Sequence, residues 1–253
     1  MLDMTKLTLT GTAVALVSAL ALQGHVSAQT PALPTVDQVL SKYVTAVGGA
    51  AAIEKITTRT ATGTIELPDM GINGAIQIVE KAPNKSFATV ELGPVGTIRE
   101  GTDGVTAWDE NPGIGLREKT GEELTESLRG ATFNQEIKLK SMYKTLEVTG
   151  QESVGGRAAI AVLATPESGS ATRMFFDVET GLMVKQSTTR QSPQGPVDLD
   201  VYMENYREVD GVKQPFLIRQ VTAQATILIR ITELKHNVPV DDAIFRKPGV
   251  PTP

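Results

Sequence analysis

The chain has no cysteine, so neither a disulfide nor a thiolate metal site can form. It has two histidines, and only His236 lies outside the N-terminal apolar segment. One imidazole without a thiolate falls short of the ligand set that zinc requires. Aromatic side chains are scarce: one Trp, four Tyr and six Phe in 253 residues. That argues against an outer-membrane barrel, which carries aromatic girdles at both interfaces. There is no basic block, and the net charge of −5 with a pI of about 5.2 argues against nucleic acid as a partner. Beyond residue 30 no apolar run approaches the roughly 20 residues of a membrane-spanning helix. Gly113-Ile114-Gly115 lacks the third glycine and the strand-turn-helix setting of a phosphate loop. No serine stands in a nucleophile elbow. Asp241-Asp242 reads as a solvated pair in a tail, and His236, at the end of the last strand, as a surface histidine. No catalytic residue, metal or cofactor is therefore assigned.

What is present begins with a leader. Lys6 precedes an apolar run from Leu7 to Leu22, and Val26-Ser27-Ala28 places small residues for cleavage before Gln29. Residues 1–28 are expected to be a secretory signal peptide and the mature chain periplasmic or secreted, with no transmembrane segment. Residues 29–34 read as a linker, residues 35–246 as one domain, and 247–253 as a proline-rich tail.

Thr35 with Gln38 forms a capping-box pattern. Val36, Val39, Leu40, Tyr43, Val44 and Val47 follow at helical spacing until Gly48-Gly49 stops the helix. From residue 57 the pattern changes to short runs of period two, separated by turn residues. In the run from Ile72, Ile76 and Ile78 share one face while Asn73 and Gln77 take the other. Residues 120–142 interrupt the strands with a helical pattern that opens on a second capping box, Thr120 with Glu123. The predicted architecture is mainly β with a few helices. About ten or eleven antiparallel strands follow in continuous order, with an N-terminal helix and a helical insertion at 120–142.

Lys81, Pro83, Asn84 and Phe87, then Asp103, Gly104 and Trp108, then Phe175, Phe176, Thr180, Gly181, Leu182, Lys185 and Gln186 follow one another in a set order and spacing. In these residues the sequence resembles the periplasmic lipoprotein carriers of the LolA-like superfamily. The likeness spans roughly residues 35 to 234. It implies an unclosed, strongly curved antiparallel sheet, a half-barrel wrapped around a hydrophobic cavity with a helical lid. It further implies a lipid or an acylated protein as partner. The carriers place an arginine just before the proline matching Pro83, where this chain has Ala82. On this footing the expected cavity lining is Ile76, Ile78, Phe87, Trp108, Leu124, Leu128, Met142 and Phe175. Two readings stay open: a carrier of an apolar ligand, and a module with a filled core that docks a cell-envelope protein.

Overall fold

Thr35 caps the first helix as its spacing predicts. Its hydroxyl accepts from the Gln38 amide while the Gln38 side chain accepts from the Thr35 amide, at 3.3 and 2.8 Å. The helix, α1 (Val36–Val47), buries Val39, Leu40, Tyr43 and Val47 on one side. It stops at Gly48, whose φ of +128° brings the chain against the turn at Gly211. A Cβ on Gly48 would lie 2.1 Å from the Gly211 carbonyl oxygen, so no other residue fits. A single turn, α2 (Ala50–Ile53), seals this end with Ile53.

The structure, a computed structural model, describes residues 32–192 and 195–249. The expected signal peptide, its cleavage site and the final residues of the tail lie outside the described residues. Residues from Leu33 onward form one compact unit.

Thirteen strands make one antiparallel sheet. Six precede the insertion: β1 (Thr58–Leu67), β2 (Ile72–Lys81), β3 (Lys85–Glu91), β4 (Thr97–Thr102), β5 (Ala107–Asn111) and β6 (Gly115–Glu118). Seven follow it: β7 (Thr145–Val154), β8 (Arg157–Thr165), β9 (Thr172–Asp177), β10 (Met183–Arg190), β11 (Val197–Val209), β12 (Val212–Val221) and β13 (Thr226–His236). The order is β6-β5-β4-β3-β2-β1-β13-β12-β11-β10-β9-β8-β7. The first and last strands thus pair in the middle, and the two edges, β6 and β7, flank the insertion. The count exceeds the expected ten or eleven. The strand with no signal in the sequence is β6, four residues behind Gly113 that become a strand only by pairing with β5.

The insertion contains α3 (Gly121–Gly130) and α4 (Leu139–Met142), with a 3-10 turn at Gln135–Ile137 between them. The second capping box does not form: Thr120 makes no side-chain cap. Glu123 instead binds Arg117 through both oxygens, at 2.5 and 2.7 Å, a charge-assisted fork that outcompetes a cap. Three residues further on, Glu126 accepts from the Gln191 amide at 3.2 Å, and Arg129 donates to the Ser168 carbonyl at 3.0 Å. Arg117 lies on edge strand β6, whereas Gln191 follows β10, nine places along the sheet. On a flat sheet they would stand about 43 Å apart, at roughly 4.8 Å per strand. Three residues of helix advance only about 4.5 Å. The sheet therefore curls round, and α3 bridges the two halves across its inner face.

Candidate functional site

Residues directly opposite in the ladders share a face, which sorts the whole sheet into an inner and an outer surface. One inner row runs Arg59, Glu80, Ser86. The next runs Ala61, Ile78, Ala88, and the third Gly63, Ile76, Val90, Ile98. Around β10 to β7 the inner face is covered: α1 and the insertion pack on Ile160, Val162, Met174, Phe176 and Met183. Around β1 to β4 and β11 to β13 it forms a second apolar cluster, including Ile65, Ile76, Ile78, Val90 and Ile218, to which no α-helix contributes a residue.

The structure does not gather the eight expected lining residues. Ile76 and Ile78 belong to the second inner cluster. Leu124 and Leu128 are half-buried on α3, which has no buried residue, and Met142 is half-buried at the end of α4. Phe87, Trp108 and Phe175 lie on the outer face, and this corrects the expectation. Strict alternation decides it: Phe87 is opposite Val79, not Ile78, and Gly101 carries the same parity on to Trp108. The C-terminal segment covers that side. Trp108, 1% exposed, packs beside Phe87 and beneath fully buried Phe245, while Asp242 bridges Lys81 and Lys85 at 2.7 and 2.6 Å. Phe175 sits on the outer face of β9 under Arg173 and Lys185.

Where the inner row of Arg59 and Glu80 meets α1 and the insertion, a cavity of about 170 Å³ opens. Tyr43, Asn134, Glu136, Tyr206 and Gln214 reach it, with Leu139, Met183 and Met203 as apolar wall. Arg59 holds Glu80 at 2.9 Å and its guanidinium lies over the Phe133 ring, 5.3 Å from the centroid. Phe133 is further tied by its amide to the Pro83 carbonyl at 2.9 Å. The insertion is thus fastened to the sheet beside Ala82 by an arginine on the neighbouring strand. Burial works against the Arg59 charge but is outweighed by Glu80 and Glu136, and its pKa is raised. Burial first, then neighbouring Glu136, push the Tyr206 hydroxyl up; for Tyr43 the order is burial, Tyr206, Glu136. Both phenols are neutral at physiological pH.

His236 is not at the surface. Its imidazole is 1% exposed, opposite Arg59, with Nδ1 3.1 Å from Asp210. Burial, then nearby Arg59, lower its pKa, so it is neutral at pH 7. Position at a strand's end said nothing of what folds over it. Arg59 was legible in retrospect. It shares strand parity with Ala61, Gly63 and Ile65, a charge on an otherwise apolar face. Glu136 and Gln214 gave no such signal, because their neighbours come from distant segments.

No family profile matches the sequence, and no curated protein matches it. Solved structures do share its fold. A DUF1329 family protein from Desulfovibrio piger aligns with a TM-score of 0.57 at 14% identity, over 83% of this chain and 97% of that one. A LolA superfamily protein from Nitrosomonas europaea aligns at 0.56 and 14% identity, over 85% and 99%. A domain assigned to outer membrane lipoprotein sorting, from Vibrio parahaemolyticus, gives 0.55 and 13%, over 78% and 92%. The chain has a divergent LolA-like fold.

Proposed function

We propose that the protein is a non-enzymatic carrier of an apolar ligand, a lipid or the acyl chains of a lipoprotein, in the periplasm or outside the cell after loss of residues 1–28. The observation that carries this reading is the inner cluster on β1 to β4 and β11 to β13. It is an apolar wall, aliphatic but for Phe216, to which no α-helix contributes a residue, in a curled sheet spanned by a helix that buries nothing. The fold of the lipoprotein-sorting domain supports the ligand class. In this reading α3 is the lid. It is held to the far half of the sheet through Glu126 and Arg129, both half-exposed polar contacts that open at little cost. Each methylene moved from water onto the Ile76 and Ile78 wall gains about 0.8 kcal/mol, enough for a long chain to bind without any covalent step.

A second reading has one observation in its favour. Ile65 and Ile76 are 8% and 6% exposed, so the wall is packed against itself in this conformation. The face is then a filled core, and the protein a docking module for an envelope partner. Native mass spectrometry of the purified protein separates the two. A co-purifying lipid supports the carrier. An apo mass, together with no uptake of a fluorescent fatty-acyl probe, overturns it.

A further inference from the structure

The cavity at the base of the inner face has a chemistry that the apolar wall does not explain. Gln214, only 6% exposed, has no partner for its Nε2. Asn134, 8% exposed, donates to the Ile53 and Ile56 carbonyls but leaves Oδ1 unpaired. The Arg59 Nε–H is buried and unused, and so is Oε2 of Glu136. Glu136 forms no hydrogen bond and no ion pair among the described residues. Buried polar groups left unmatched are costly, and a group that could satisfy both the donors and the acceptors would be held firmly.

Position and size say what kind of group this is. Arg59 and Glu80 lie two residues along their strands from Ala61 and Ile78, on the same face. That is one step of about 6.7 Å from the polar row to the aliphatic wall. The cavity, at about 170 Å³, is smaller than the roughly 300–1,000 Å³ of a pocket that takes a whole ligand. It has room for a headgroup. Its charge is already set: one guanidinium faces two carboxylates, Glu80 and Glu136, with exposed Lys213 at the outer margin. A further anion would be a third negative group against one buried guanidinium and one exposed, solvated ammonium.

We infer that this cavity is a headgroup site for an uncharged amphiphile carrying both hydroxyl donors and a carbonyl, of the acylglycerol type, whose chain lies along the Ile78 and Ile76 wall. The carbonyl accepts from Arg59 Nε or Gln214, and a hydroxyl donates to Glu136. This assignment rests on the carrier reading and adds the class of cargo to it.

The test uses three ligands with one chain: 1-monooleoylglycerol, oleate and methyl oleate, titrated against the full mature protein by displacement of a fluorescent acyl probe. The expected result is about tenfold tighter binding of monooleoylglycerol than of the other two, since a site with buried hydrogen-bonding groups rejects analogues that leave them unpaired. Glu136→Leu, which removes the acceptor for the hydroxyls that only monooleoylglycerol carries, is expected to bring monooleoylglycerol down to the methyl oleate level and leave methyl oleate unchanged. Gln214→Leu, which removes a donor to the ester carbonyl that both carry, is expected to weaken both. Glu136 makes no hydrogen bond, so its loss should not unfold the chain, and circular dichroism checks this. Equal binding of all three, or preference for oleate, overturns the headgroup site and leaves the carrier standing. An equal loss for all ligands in Glu136→Leu also overturns it. Failure of every ligand to bind overturns the carrier reading, and this inference with it.

Discussion

Trp108 donates its indole N–H to the main-chain carbonyl of Phe245, 3.1 Å away and 137 residues further along the chain. The bond joins β5 to the C-terminal segment and fixes which side of the sheet is covered from outside. Because Trp108 is the sole tryptophan, its emission reports on that segment directly. Phe245→Ala removes a fully buried ring and is expected to cost about 3–5 kcal/mol, with a red shift of Trp108 emission. A variant with unchanged melting temperature and unshifted emission would show that the tail does not hold the outer face.

Acid should loosen the same segment through Asp242. Lys81 and Lys85 hold this carboxyl at a pKa of about 2, below its value of roughly 3.9 in an unfolded chain. A depressed carboxylate stabilises the folded state above the unfolded pKa, and that contribution is lost as pH falls from about 4 through about 2. Trp108 emission followed from pH 5 to pH 2 is expected to change in the wild type. Asp242→Asn should lack that component and start from a weaker tail at neutral pH. Superimposable titrations of the two proteins would sink the idea.

Mobility should divide the insertion in two. The short helices and few apolar anchors of residues 122–142 predict a segment more mobile than the strands, but the structure buries Phe133 and Leu139 in the core under α1. Amides of residues 122–130 are expected to exchange fast without ligand, and those of 133–139 as slowly as the central strands. A bound amphiphile should slow the first group alone. Uniform exchange across 120–142 would contradict a lid confined to α3.

Ile78 tests whether the inner wall opens. If ligand enters there, Ile78→Asp can reach water when α3 lifts, so the variant folds and loses acyl binding. If the face is permanently filled, the buried carboxylate costs several kcal/mol, most of the stability of a domain this size. Gln77, exposed on the opposite face, provides Gln77→Asp as the matched control. Thermal melts decide the matter: collapse of Ile78→Asp alone refutes the carrier.

Gly181 tests how the helical layer is anchored. The β9–β10 turn is built by Asp177, which accepts from the Thr180 amide and hydroxyl at 2.7 and 2.8 Å. Gly181 follows at a φ of +76°, where a Cβ would come within 2.7 Å of Lys42 Cγ on α1. Lys42 in turn donates to the Val178 carbonyl at 2.5 Å. Gly181→Ala is expected to destabilise by about 1 kcal/mol or more from backbone strain, plus whatever Lys42 must yield. An unchanged chemical melt would show that α1 does not depend on this turn.

The sequence by itself determined the local structure. The Thr35 cap, the stop at Gly48-Gly49, the alternation of Ile76, Gln77 and Ile78, and the turn at Thr180-Gly181 depend on dihedrals and periods that a few adjacent residues set. The same alternation already separated Ile78 from Phe87 and Trp108 once the strands were paired. What period two cannot say is which of the two faces a distant segment will cover. The curl of the sheet decided that. It brought α3 against Gln191 and Ser168, laid Phe245 over Trp108, and hid His236 from water. It also assembled Arg59, Glu136 and Gln214 around one cavity. Those three come from segments that share no local period, and their meeting is a consequence of long-range packing, where the free energy depends on the whole fold and not on neighbours in the chain.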